Sequence, residues 1–353
     1  MKNNSTEEVI KDFQYRDYTL YDNELGINND FNIDNDIKSI KKLVKNIIKS
    51  KGVLFFIKEY RCGRKSIECK NSSVFTRLKL YINRDITKEI AKRFPNNTFN
   101  PYVALYIKNM TAEDDLVPRT YLNIIPGDQA YNNNIVKCVD IFNKFIDNIR
   151  SEAESQEFKK SIKDYQQQSN DNYKSLMSYS NELFDKHPRL LVLRIDFHYR
   201  KDVDNRYLTE IERNERYFKI KEDLAHLLRN TRSNKLFKHM LGYAWKLEYT
   251  PETGFHYHCF FFFNEKRVQW DVNKARKIGE YWVNITEGRG RYFSCNRKKK
   301  NYKFLGIGKI HRNDVKLREG LEMAIAYVTK TDECNARVIA MDENGRTFGR
   351  SYT

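Results

Sequence analysis

The clearest patterning of apolar and polar positions begins at Leu190. In Leu190 to Tyr199 (LLVLRIDFHY), Leu191, Leu193, Ile195 and Phe197 share one face of a strand, and Arg194, Asp196 and His198 share the other. Tyr217, Ile220, Leu224, Leu227 and Leu228 then recur at helical spacing. Leu241 to Tyr249 and Phe255 to Phe263 read as two strands joined by Thr-Pro-Glu-Thr-Gly, which predicts a β-hairpin. Asp271 is expected to cap a helix carrying Val272, Ala275, Ile278 and Trp282. Phe304 to Ile310 reads as a short strand, and Asp314 as the cap of a last helix with Leu317, Leu321, Ala324 and Val328 facing the core. The order strand, helix, hairpin, helix, strand, helix predicts an α+β fold, with an antiparallel β-sheet flanked by helices.

The first half is less regular. Ile40, Leu43, Ile47 and Ile48 fall at helical spacing, Val53 to Ile57 reads as a strand, and Ile135, Val139, Phe142, Phe145 and Ile146 mark another helix face. Arg150 to Lys186 is polar at first, then carries Leu176, Tyr179 and Leu183 at helical spacing until His187-Pro188 stops it. The expected organisation is an acidic flexible arm over 1–37, a mixed, mostly helical region over 38–187 with no assignable role, a second domain over 188–337, and a tail over 338–353.

Composition sharpens this organisation. The 353 residues include 64 Lys+Arg and 47 Asp+Glu, a net charge of +17. Residues 1–37 hold nine acids and three bases, so the remainder is more basic than the total suggests. A basic body predicts an anionic partner, with nucleic acid the first candidate. No apolar stretch is long enough to span a membrane, and MKNNSTEEVI lacks the apolar core of a signal peptide, so a cytoplasmic location with no membrane partner is expected. The six cysteines form no C-x-x-C pair and are expected to be reduced.

His256 and His258 lie at i and i+2 in one strand, so both imidazoles point to the same face. Most H-x-H pairs in strands are incidental. Here the hairpin also brings Glu248 of the preceding strand close to cross-strand range of His256. Two imidazoles and a carboxylate, with positions left for water or substrate, suit a divalent cation such as Mg²⁺ or Mn²⁺. Asp196 and His198 are placed for supporting contacts. On the last helix, Gly320, Met323, Tyr327 and Lys330 form a stripe rotated away from the core face, so the tips of Tyr327 and Lys330 can meet one substrate. With 23 tyrosines in the chain, any one is more often packing. Between hairpin and helix come Arg291, Arg297, Lys298, Lys299, Lys300, Lys303, Lys309 and Arg312, interleaved with Tyr292, Phe293, Tyr302 and Phe304. This mixture of cations and aromatics fits a single-stranded or distorted nucleic acid.

His256-Tyr257-His258 and Tyr327-Val328-Thr329-Lys330 resemble the paired-histidine and nucleophile motifs of HUH endonucleases. LLVLRIDFHY, WKLEY with GFHYHCFFFF, IGEYW and AIAYVTKTD, in that order over Arg189 to Arg337, more closely resemble the inovirus replication-protein and YagK/YfjJ C-terminal type. The resemblance implies a ferredoxin/RRM-like sheet and an origin-nicking enzyme of rolling-circle replication. His256 and His258 would be metal ligands, with Glu248 the third. Tyr327 would attack a DNA phosphate and leave a 5′-phosphotyrosyl link and a free 3′-OH, with Lys330 placing the phosphate. Some relatives carry two tyrosines one turn apart. Met323 and Thr331 occupy those positions here, which implies a single-tyrosine enzyme. No G-x-x-x-x-G-K-[ST] occurs, so the partners implied are origin or single-stranded DNA and a separate helicase. A non-catalytic DNA-binding regulator and a metal-dependent nuclease without a covalent intermediate stay open as alternatives.

Overall fold

The computed structural model describes residues 33–83, 85–94, 97–112, 129–200, 208–251, 253–330, 336–338 and 345–352. Among these residues the fold is mixed α+β with antiparallel sheets, and no helix is long and apolar enough to cross a membrane. Two compact units part between Gln166 and Gln167.

The first unit holds α1 (Ile33–Lys49), the hairpin β1 (Phe55–Glu59) and β2 (Lys65–Cys69), then α2 (Ser72–Asn83), α3 (Ile86–Arg93), α4 (Pro101–Ala112) and α5 (Gln129–Glu154). Ile33, Ile37, Ile40, Val44 and Ile47 bury one stripe of α1. Most of the expected acidic arm, residues 1–32, lies outside the described residues, while Ile33 to Ile37 belong to this helix. Asn143 of α5 fixes the start of β1: its Oδ1 accepts from the Phe55 N–H at 3.0 Å, and its Nδ2 donates to the Phe55 carbonyl at 2.9 Å.

The long α6 (Gln156–Lys186) ends just before Pro188, as the ring of that proline dictates. Leu176, Tyr179 and Leu183 on its second half pack onto the sheet of the second unit. The compact units therefore part inside α6, ahead of the expected boundary at 187.

That second unit is built on β3 (Arg189–Tyr199), α7 (Glu210–Asn230), β4 (Met240–Thr250), β5 (Gly254–Asn264), α8 (Asp271–Ile285), β6 (Gly290–Ser294), β7 (Gly308–His311), α9 (Val315–Lys330) and β8 (Phe348–Arg350). The strands form one antiparallel sheet in the order β8-β4-β5-β3-β6, and β7 shares the outer edge of β3 with β6. α7 and α8 cover one face. Trp282 stacks on Phe197 at 4.6 Å, and Tyr217 meets Phe255 edge-on at 5.7 Å. The second half of α6 and α9 cover the other face, over Leu190, Val192, Phe260 and Phe262.

Three local expectations are corrected. Asp271 does not cap α8: Trp270 occupies the capping position without a side-chain bond, and the Asp271 carboxylate instead accepts from Lys299 Nζ at 2.8 Å and Asn296 Nδ2 at 3.2 Å. The strand expected over Phe304 to Ile310 shrinks to Gly308–His311, because the preceding residues lie backbone to backbone against α9. A Cβ on Gly306 would sit 2.1 Å from the Gly320 carbonyl carbon, and one on Gly320 would sit 2.0 Å from the Leu305 carbonyl oxygen. Only glycine permits that approach, which fixes α9 two turns before Tyr327. The supposed tail also contributes to the sheet, since Phe348–Arg350 pairs with Ala244 to Lys246. The Asp314 cap is present, its Oδ1 accepting from the Leu317 N–H at 3.0 Å.

Candidate metal centre

The register places polar side chains in two rows across the face beneath α9. Arg291 pairs with His198 and His256 with Glu248, and the rings of His198 and His256 stack at 5.2 Å to join the pairs into the first row. The second row runs from Phe293 through Asp196 and His258 to Lys246. Period-two alternation on each strand then brings the two rows together on one face. Asp196, His198, Lys246, Glu248, His256 and His258 are all buried.

Glu248, His256 and His258 each offer one ligand atom, and the three atoms lie within 4.8 Å of one another. Their orientation is set by neighbours. His258 Nδ1 contacts Asp196 Oδ1 at 2.8 Å, which directs Nε2 towards Glu248 Oε2 at 3.7 Å. That buried Nε2 has no hydrogen-bond partner. His256 Nδ1 lies 2.9 Å from the Gly254 carbonyl. Lys246 Nζ donates to Glu248 Oε1 at 2.7 Å and leaves the carboxylate's second oxygen facing His258. An unpartnered buried nitrogen beside a carboxylate and a second imidazole fits a divalent cation, because ligation would satisfy the nitrogen that the fold leaves unbonded.

The electrostatics are those of a site built around charge. Burial would pull the His258 pKa down, but the carboxylates of Asp196 and Glu248 outweigh it and raise it to about 10. Burial, reinforced by the charge on His258, lowers His256 to about 4. Burial would raise Glu248, yet Lys246 and His258 bring it down to about 2. Asp196 is likewise held below the usual carboxylate range, Arg194 and His258 overcoming its burial. A cation bound at His258 must therefore displace a proton. Mn²⁺ affinity is expected to rise with pH, by about tenfold per unit between pH 6 and pH 8. Calorimetric titration across that range checks this, and a pH-independent affinity would mean that His258 carries no proton for the cation to displace.

Tyr327 descends from α9 onto the same place. Its ring centroid is 6.0 Å from that of His258, and the Arg194 guanidinium carbon lies 4.8 Å from the Tyr327 centroid. Arg194 Nη2 also donates to Asp196 Oδ2 at 3.3 Å. The tyrosine is 3% exposed and packs within the core cluster, so Tyr327, expected on a stripe rotated away from the core, is buried against His258 and Arg194 instead. Lys330 ends the helix, and its side chain lies outside the described residues.

The basic segment is only partly available. Arg291, Arg297, Lys298, Lys300, Lys303 and Arg312 are exposed. Lys299 is bound to Asp271, and Lys309 lies 3.4 Å from Glu265. Sequence reasoning placed Arg194 on the polar face of its strand without a role in the site, and missed Lys246. The available signal was the apolar pair Leu190 and Val192 on the same face as Arg194: a face that is apolar at its start is covered, and charges farther along it are covered too.

No curated protein and no solved structure matches the chain. The profile of the YagK/YfjJ C-terminal domain matches residues 151–351, from the end of α5 to just beyond β8. The chain thus belongs to the YagK/YfjJ C-terminal domain family, a family of phage- and prophage-associated proteins.

Proposed function

We propose that the chain is an HUH-type endonuclease that nicks and rejoins single-stranded DNA, as an initiator of rolling-circle replication would. The observation that carries this reading is the juxtaposition of Tyr327 with the His258 ring of the Glu248, His256 and His258 group. The fold supports it as well. Strand, helix, two strands, helix and strand, with the sheet order β4-β5-β3-β6, is the order that a ferredoxin-like sheet would have, and both histidines sit on its third strand.

In this reading Glu248, His256 and His258 would hold Mg²⁺ or Mn²⁺, Asp196 keeping the His258 ring in place and Lys246 keeping Glu248. The cation, when bound, supplies positive charge to the scissile phosphate. Arg194 holds the Tyr327 ring from one side. The Tyr327 hydroxyl gives up its proton as its oxygen attacks phosphorus, the bond to the 3′ oxygen breaks, the departing oxygen takes up one proton in exchange, and the DNA stays attached through a 5′-phosphotyrosyl ester. Attack by the freed 3′-OH on that ester reverses the step and rejoins the strand.

The test is incubation of the protein with origin-like single-stranded DNA and Mn²⁺, followed by denaturing electrophoresis. A shifted protein–DNA adduct is expected. Cleavage without an adduct would point to a nuclease that uses water, and binding without cleavage to a regulator. For the basic segment, Lys298→Ala with Lys300→Ala is expected to reduce the salt dependence of single-strand binding by about 0.7 in slope per lysine. An unchanged slope would reduce both to solvated side chains.

A further inference from the structure

Away from the metal centre, the loop between β5 and α8 carries Trp270, 78% exposed, at the capping position of α8, with the exposed Lys266 and Arg267 before it. A bare indole is costly to leave in water, and the chain's other tryptophans are better covered: Trp282 is fully buried and Trp245 is half-buried.

The next residue, Asp271, binds Lys299 and Asn296, so Trp270 is tied to the 3₁₀ segment Cys295–Asn301, where Arg297, Lys298 and Lys300 are exposed. The acids of this surface are both committed, Asp271 to Lys299 and Glu265 to Lys309. Lys266, Arg267, Arg297, Lys298 and Lys300 have no carboxylate paired with them among the described residues. The surface is thus a single aromatic plate amid uncompensated positive charge.

We propose that Trp270 and these five cations form a contact for single-stranded DNA outside the metal centre, with the indole stacking on a base and the cations on the flanking phosphates. Base stacking needs an unpaired base whose face is open, which a duplex does not present. A protein partner would need five carboxylates set around one apolar side chain, whereas a single strand brings a phosphate with every nucleotide. The contact lies beyond Asn264, six residues along β5 from His258 and about 20 Å by strand geometry. It would grip a flank of the DNA a few nucleotides from Tyr327. The choice of DNA rests on the function proposed above. The stacking itself does not.

The experiment uses the full chain, fluorescein-labelled oligo-dT and a metal-free buffer, so no cleavage intervenes. Trp270→Ala is expected to weaken binding roughly 5- to 100-fold while the salt slope stays as in wild type, and Trp270→Phe to recover most of the affinity. Oligo-dT should quench wild-type tryptophan emission but leave that of Trp270→Ala unchanged. Equal affinity of wild type and Trp270→Ala, a quench that survives the substitution, or competition by duplex DNA as strong as by single strands would each overturn the proposal. Adduct formation together with unchanged binding in Trp270→Ala ends this contact and leaves the nicking reading standing. Weakened binding in that variant, with no adduct in wild type, does the reverse.

Discussion

Tyr327→Phe protein is expected to bind single-stranded DNA as wild type does and to form no covalent adduct, a fall of roughly 10⁴-fold or more in adduct yield per unit time. The substitution removes one oxygen. The phenyl ring still fills the place beneath α9, still lies over the Arg194 guanidinium and still meets the His258 ring. Phosphate contacts made elsewhere carry DNA affinity, so binding should stay close to wild type. The ring stays and only the oxygen goes, so this variant separates the nucleophile from the packing of the side chain. Adduct formation that survives in Tyr327→Phe would mean that another residue is the nucleophile, and that Tyr327 is one more packing tyrosine.

His258→Ala should abolish cleavage through a different route. It removes the ligand atom that the structure leaves unpartnered, and the loss in Mn²⁺ affinity should be at least 100-fold. Its neighbours remain satisfied in part: Asp196 keeps Arg194, and Glu248 keeps Lys246. The protein should therefore fold and bind DNA without cutting it. Asp196→Asn grades the same effect. Its amide oxygen can still meet His258 Nδ1, but the charge that steadies the ring is gone, so Mn²⁺ affinity should fall by about 10- to 100-fold. The checks are calorimetry with Mn²⁺ and a melting curve for each variant. Collapse of the fold in both would show that the imidazole and carboxylate are structural.

The parts of this site that could be read in advance share a cause. Glu248 and His256 lie close to a short connecting turn, so their register follows from turn length, and Glu248 does fall opposite His256. The depth of the site was hidden for a complementary reason. Arg194, Asp196 and His198 alternate with Leu193, Ile195 and Phe197, and such a strand ordinarily has one wet face. What overrides that expectation is α9, which begins more than a hundred residues later and lies on the polar face. The same ambiguity put Tyr327 on a face away from the core. Helical periodicity separates a contacting face from a free one, but a helix can contact a sheet over polar as well as apolar residues. β8 escaped notice because three residues, Phe348, Gly349 and Arg350, are too few to show any period.

That late strand imposes an order on biosynthesis. The hairpin that presents Glu248, His256 and His258 is made first and the helix of Tyr327 some seventy residues afterwards. The outer flank of β4 acquires its neighbour only once Phe348 to Arg350 have been added. A nascent chain on the ribosome therefore holds its histidines and its tyrosine while the backbone beside Trp245 and Lys246 is still unpaired. Such a strand is open to pairing with other chains. Addition of Phe348 to Arg350, and not merely of the chemistry-bearing segments before them, closes that route to misassembly.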